Sequence, residues 1–298
     1  MFFEFAIIGV TASGKSALAI EIAKDIKGVI LSLDSLCIYK QINIASAKPN
    51  SQELSKIKHF GINLVDVNQN FNVVNFIDEY KKAKKFAQKN EIPLIITGGS
   101  GFYLKTMISG ISPKIDNINI NLNDEEIYQK CKEIDPKFCE KFSKNDKFRM
   151  QKWAKIWLQT GEIPSVWFKK NTQNPIINNI KIFEIIWNKE ILKNRIKTRT
   201  NEMFKNGLIE EAKFLFDNYK SDLKPLKSIG LKECKEYLDG KFGKINSQNA
   251  ILECKNLISL HTIQLAKRQR TFNKGQFNER ICEEISKIKE VIYKNLNI

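Results

Sequence analysis

Residues 6–18 read Ala-Ile-Ile-Gly-Val-Thr-Ala-Ser-Gly-Lys-Ser-Ala-Leu and contain the spacing Gly9-x4-Gly14-Lys15-Ser16. That is the pattern of a loop that cradles phosphates between a strand and a helix. Its glycines let the backbone of Gly9, Val10, Thr11, Ala12, Ser13 and Gly14 turn so that several N–H groups face one anion. The helix N-terminus adds partial positive charge and Lys15 a full one. Ser16 can offer a hydroxyl to a magnesium ion bridging the phosphate oxygens. The flanks fit: the apolar run Phe5 to Ile8 precedes the loop, and Leu18, Ala19, Ile22, Ala23 and Ile26 recur after it at helical spacing. A group carrying a diphosphate or triphosphate is expected here.

The elements that must position this chemistry follow in order. Gly28-Val-Ile-Leu-Ser-Leu-Asp34 reads as a second buried parallel strand ending in an acid. Ligands of parallel α/β sheets collect at the carboxyl ends of strands, so Asp34 is expected beside the loop. Such an acid suits two roles, general base or magnesium ligand. Residues 60–67 read as a further strand or a loop on the sheet edge, and Phe76, Tyr80, Ala83, Phe86 and Ala87 mark an amphipathic helix. Pro93-Leu-Ile-Ile-Thr97 is a third buried strand, running into Gly98-Gly99-Ser100-Gly101, where backbone can approach a ligand closely.

Beyond residue 111 the pattern changes. Asn-rich segments flank two basic helical stretches, 124–142 and 146–160, with Trp153, Trp157 and Trp167 expected to pack them. The chain therefore divides into the first part of an α/β core (1–111), a helical insertion (112–189) and a helical remainder (190–298). A returning strand is expected over 180–187, then helices over 191–206, 208–219, 230–238 and 248–271. Lys267, Arg270 and Lys274 form a stripe near the end of the last helix that can track a phosphate backbone.

Forty-nine Lys and Arg against 33 Asp and Glu give a net charge of +16, which favours a nucleic acid partner over an anionic membrane. The six cysteines form no Cys-x-x-Cys pair and there are two histidines, so neither a zinc site nor a disulfide framework is expected, and a reducing compartment fits. No apolar run approaches the roughly 18 residues that span a bilayer. With the first strand at the very start of the chain, no signal peptide is expected either, and the protein is expected to be cytoplasmic. No Asp-Asp-x-x-Asp cluster occurs, so capture of a diphosphate falls to the loop.

Taken together, several segments resemble the tRNA dimethylallyltransferases: Gly9-Val-Thr-Ala-Ser-Gly-Lys-Ser16, Ser32-Leu-Asp-Ser35 with Ile38-Tyr39, Ala45-Ser-Ala-Lys-Pro49 and Thr97-Gly-Gly-Ser-Gly-Phe-Tyr103. Later matches are Asn145-Asp146 with Arg149, Thr160-Gly161, Met203-x3-Gly207-Leu-Ile-Glu-Glu211, Ser228-Ile-Gly230 and Ala266-Lys-Arg-Gln-Arg-Thr271. They run in the family's order along nearly the whole chain. Departures include Val10 for Pro, Ser100 for Thr, Leu231 for Tyr, Phe272 for Trp, and Lys152, Lys227 and Ile263 where arginines are common.

The resemblance implies a P-loop NTPase-like parallel sheet and transfer of a dimethylallyl group from dimethylallyl diphosphate to N6 of the tRNA adenosine next to the anticodon on its 3′ side. It implies that residues 9–16 and Lys227 hold the diphosphate, with magnesium as cofactor at Ser16. The Thr11 hydroxyl is within reach of the bridging oxygen, and Asp34 is preferred as the base. Asp34, Ser35, Leu36, Cys37 and Ser100 face the target nucleotide, while Phe148, Arg149, Met150, Gln151, Lys152, Lys267 and Arg268 grip the RNA. A monomer binding the anticodon stem-loop is expected. The alternative is a P-loop small-molecule or nucleoside kinase, which shares the loop but accounts for neither the basic charge nor the basic C-terminal segment.

Overall fold

The computed structural model describes all 298 residues. In chain order it contains β1 (Glu4–Gly9), α1 (Lys15–Asp25), β2 (Val29–Ser32), α2 (Ser51–Lys56), β3 (His59–Phe60), α3 (Val73–Lys89), β4 (Leu94–Thr97) and α4 (Gly101–Ser109). Four helices follow: α5 (Asp124–Ile134), α6 (Pro136–Lys141), α7 (Lys147–Thr160) and α8 (Pro164–Asn171). The chain then forms β5 (Lys181–Ile186), α9 (Lys189–Lys205), α10 (Leu208–Asn218), α11 (Leu231–Leu238), α12 (Gln248–Gln276), β6 (Ile281–Glu284) and α13 (Ile288–Leu296).

The strands make one parallel sheet in the order β3-β2-β4-β1-β5-β6. β1 lies between β4 (Ile7 opposite Thr97) and β5 (Gly9 opposite Ile185). Every residue of β2 and β4 is buried, which requires cover on both faces and explains why they read as continuous apolar runs. Phe5, Ile7, Ile30, Ile95, Phe183 and Ile185 form one core face with Leu18 and Ile22 of α1 and Ile288 and Ile292 of α13.

Of the two readings of 60–67, strand or loop on the sheet edge, the loop holds for most of it: only His59–Phe60 is strand, the rest being irregular apart from a single bridge between Tyr39 and Val65. Two expectations are corrected. The region read as helical to the C-terminus contains β6, whose residues Ile-Cys-Glu-Glu alternate half-buried and exposed. Such a short charged segment is a strand because it completes the sheet edge beside β5, where acidic side chains also discourage edge-to-edge pairing. The chain divides into Met1–Lys105 with Asn179–Ile298, and Thr106–Asn178. The second unit is thus 106–178 rather than 112–189, because β5 has already rejoined the sheet beside β1.

Within the second unit the stretch 124–142 is two helices. Pro136 cannot continue α5 because its ring removes an N–H donor and clashes with the preceding turn, and it starts α6 instead. The Asp135 carboxylate at the break is buried, where it accepts from Trp153 Nε1 (3.1 Å) and the Ser165 N–H (2.9 Å). Trp153 packs with Ile127, Cys131, Phe138, Met150 and Ala154, and Trp157 stacks on it. No helix is long and apolar enough to cross a membrane.

Candidate active site

The loop between β1 and α1 is held from outside by side chains far away in sequence. Trp187 Nε1 donates to the Ser13 carbonyl (2.9 Å), Arg195 Nε to the Ala12 carbonyl (2.9 Å), and the Arg195 guanidinium lies 4.4 Å from the centre of the Trp187 ring. A trans peptide points its N–H opposite its carbonyl, so the bond from Trp187 turns the Gly14 N–H away from that brace. Gly14 itself has φ 91°, a left-handed conformation costly for any residue with a Cβ. The Lys15 ammonium reaches back across the loop to the Val10 carbonyl at 3.3 Å. Val10 is buried against Leu192, Ile196 and Ala266, and so anchors the loop by packing.

Asp34 stands just past the end of β2. Its Oδ1 accepts the Leu36 N–H (2.8 Å) and the Cys37 N–H (3.3 Å), a turn that leaves Oδ2 available. The glycine cluster after β4 comes close to this corner. A Cβ on Gly98 would fall 2.6 Å from the Leu33 carbonyl, and only glycine fits. A Cβ on Gly99 would lie 3.8 Å from Asp34 Oδ2 and 3.9 Å from Lys15 Nζ, so acid and cation converge on one point. Around them opens a cavity of about 630 Å³, whose polar lining includes Thr11, Lys15, Ser16, Asp34, Ser35, Cys37, Ser100, Arg199, Arg268 and Gln269. Its apolar lining includes Ile38, Phe71, Tyr103, Met203, Leu265 and Phe272.

Arg199 of α9 donates from Nη1 to Thr11 Oγ1 (3.3 Å). Burial strips water from Lys15 and pulls its pKa down to about 8, with Arg199 adding to the fall and Asp34 opposing it. Burial likewise lowers Arg199, again opposed by Asp34. Burial and the Asp34 carboxylate push the Cys37 thiol up, so it packs as a neutral group. Two cations thus face one carboxylate, and an anion is the partner that completes the balance. Because an anion favours charged Lys15, inorganic diphosphate is expected to bind tightly below pH 8 and about tenfold more weakly by pH 9. Calorimetric titration across that range checks this, and a flat affinity contradicts it.

The remaining expected residues divide between the cavity and the surface. Lys227 ends a short 3-10 turn (Lys224–Lys227) and is exposed, outside the cavity. Burial of Pro225 and Leu226 fixes the turn so that Lys224 lines the cavity instead. Arg268 lines the cavity, whereas Lys267 is exposed outside it. Leu36 is half-buried at the cavity wall.

In the second unit Phe148 is 78% exposed, Gln151 is exposed, and exposed Arg149 pairs with Asp146. Lys152 is half-buried, donating to Ser112 Oγ at 3.2 Å beside the Phe168 ring. Met150 is only 2% exposed and belongs to the core of α5, α6 and α7, which corrects its assignment as an RNA contact. Met150→Ala is expected to cost about 2–5 kcal/mol of stability, read as a lowered melting temperature.

Sequence reasoning assigned no role to Arg199, Arg195, Trp187 or Gln269. The one available signal was the placement of Arg195 and Arg199 a helical turn apart. The loop at 43–45 is likewise fixed from afar, with Glu211 accepting from the N–H groups of Asn43, Ile44 and Ala45, each at 2.8 Å.

A six-stranded parallel sheet with a phosphate loop after β1 and an acid after β2 defines a P-loop-type α/β protein. The IPP transferase family model matches residues 37–276, and the chain belongs to that family. It is 60% identical to a tRNA dimethylallyltransferase of Campylobacter fetus subsp. fetus, covering 100% of both chains. It is 47% identical to one of Aliarcobacter butzleri, covering 99% of each. Its fold is that of the tRNA isopentenylpyrophosphate transferase of Bacillus halodurans (TM-score 0.71, 24% identity, 99% of this chain and 95% of that one). A eukaryotic dimethylallyltransferase acting on tRNA also shares it (TM-score 0.76, 24% identity, 94% of this chain and 73% of that one).

Proposed function

We propose that this chain transfers a dimethylallyl group from dimethylallyl diphosphate to N6 of the tRNA adenosine 3′-adjacent to the anticodon, releasing diphosphate. The observation that carries the mechanism is the convergence of Asp34 Oδ2 and Lys15 Nζ on Gly99. It sets a proton acceptor and a leaving-group cation within one cavity. The donor's diphosphate lies in the loop against Lys15, Arg199 and the Gly14 N–H, the Thr11 and Ser13 N–H groups being bonded to Gln269 and to the Val10 carbonyl. The Thr11 hydroxyl oxygen accepts from Arg199, which frees its hydrogen for the bridging oxygen of the donor.

The adenosine must leave its stack to enter, as nucleotides in open anticodon loops can. As the N6–carbon bond forms, the carbon–oxygen bond breaks and its electron pair leaves with the diphosphate, whose developing charge the cations stabilise. Asp34 Oδ2 takes the N6 proton. Ser35, Cys37 and Ser100 shape the nucleotide side of the cavity.

Magnesium fits as a companion of the diphosphate. No group of His, Cys, Asp and Glu side chains is arranged to hold a metal by itself, while the exposed Ser16 hydroxyl lines the cavity beside Lys15. Ser16 would hold the ion there, where it would supply further neutralisation of negative charge.

Exposed Phe148, Arg149 and Gln151, with Lys267 and Arg268 on α12, are proposed RNA contacts. Reversing charge with Lys267→Glu and Arg268→Glu is expected to weaken tRNA binding and lower the slope of log affinity against log salt by about 2. Filter binding between 50 and 200 mM salt reads this, and unchanged affinity removes both residues from the interface. We further propose a monomer working in the cytoplasm, where its tRNA acceptor is found. Mass spectrometry of tRNA nucleosides after incubation with dimethylallyl diphosphate tests the whole reading. Transfer of the ATP γ-phosphate with no prenylated adenosine would instead establish the kinase.

A further inference from the structure

We infer that Gln269 is the positioning residue that keeps the leaving-group end of the cavity in register with its acceptor end. The inference rests on the prenyl-transfer reading and deepens it. Gln269 projects from α12, and both ends of its amide are used. Oε1 accepts the Thr11 N–H at 2.8 Å, and Nε2 donates to the Gly99 carbonyl at 2.9 Å. These two partners fix the orientation of the amide, since turning it over would set donor against donor and acceptor against acceptor.

The two backbones it joins lie 88 residues apart in sequence and carry opposite halves of the chemistry. On the Thr11 side are the phosphate loop, the Thr11 hydroxyl with its bond from Arg199, and Lys15. On the Gly99 side, Asp34 Oδ2 lies 3.8 Å from where a Gly99 Cβ would be, in a turn that also carries Ser100. Neither loop bonds directly to the other through any of these groups; Gln269 spans the gap with a single side chain. In-line displacement needs the nucleophilic nitrogen, the allylic carbon and the leaving oxygen held at near-contact distances, and a misplacement of about 1 Å costs roughly 100-fold in rate. A side chain that sets the separation of the two loops therefore acts on the rate of the bound complex more than on the affinity of either substrate.

Gln269→Met preserves length and removes both bonds. Gln269→Glu preserves shape and the acceptor for the Thr11 N–H but removes the donor to Gly99. With saturating dimethylallyl diphosphate and tRNA, Gln269→Met is expected to slow single-turnover prenyl transfer roughly 100-fold. The dissociation constants for donor and for tRNA should each stay within threefold of native. Gln269→Glu should be slowed at least tenfold under the same conditions. Amide exchange across residues 9–16 should quicken in Gln269→Met, a direct reading of the lost Thr11 bond.

A native chain that makes no product brings down both the functional reading and this inference. An active native chain matched within threefold by Gln269→Met and Gln269→Glu overturns the inference alone. So does a rate loss in Gln269→Met that is fully accounted for by weaker donor or tRNA binding.

Discussion

Asp34→Ala is expected to lower the single-turnover rate of prenyl transfer by roughly 10²–10⁴ while dimethylallyl diphosphate binds with near-native affinity. The adenosine N6 is a weakly basic amine that must shed a proton as it becomes bonded to carbon, and Asp34 Oδ2 is the carboxylate oxygen facing the Gly99 turn. Its partner Oδ1 already accepts two backbone N–H groups, so the carboxyl is held in a fixed orientation with one oxygen presented. Asp34→Asn sharpens the test, because the amide oxygen can still accept from Leu36 and Cys37 while the group can no longer take a proton. The asparagine variant should be nearly as slow as the alanine one. If Asp34 serves a metal instead, donor affinity and its magnesium dependence collapse together in both variants. The comparison belongs at pH 7, since removing the carboxylate also removes the influence that holds the Lys15 pKa up against burial.

The parts of the site that could be read directly are those made by contiguous residues. β1, its loop and α1 follow each other without a break, and β2 and β4 are buried on both faces, so their apolar runs ended visibly at Asp34 and at Gly98. What escaped notice depends on long-range partners. β6 has no apolar periodicity of its own and exists through its pairing with β5. Arg199 looks like one more basic residue on a helix until the fold half-buries it against Thr11. Gln269 sat inside a segment read for its charges, yet its neutral amide makes the bonds to the two loops after β1 and β4. Met150 erred in the opposite direction, because its neighbours Phe148, Arg149 and Gln151 face outward while the helical period turns Met150 inward.

Lys15→Met should lower kcat/KM for dimethylallyl diphosphate by roughly 10²–10³, as removal of one pre-aligned charge partner does in other transfer reactions. Part of that loss is expected in donor affinity, because the proposed contact of Lys15 with the diphosphate is made in the ground state as well. Arg199→Met should cost less in binding and proportionally more in kcat, since its bond to Thr11 ties it to the hydroxyl proposed to meet the breaking carbon–oxygen bond. Lys15→Arg is not a rescue: the ammonium is buried and curls onto the Val10 carbonyl, and a planar guanidinium has neither that shape nor that reach. The pH profile separates the two cations. Lys15 loses its proton near pH 8 and Arg199 keeps its charge throughout, so the alkaline weakening of diphosphate binding should vanish in Lys15→Met and persist in Arg199→Met. An alkaline limb that survives in Lys15→Met assigns the titration to another group and removes Lys15 as the pH-sensitive partner of the leaving group.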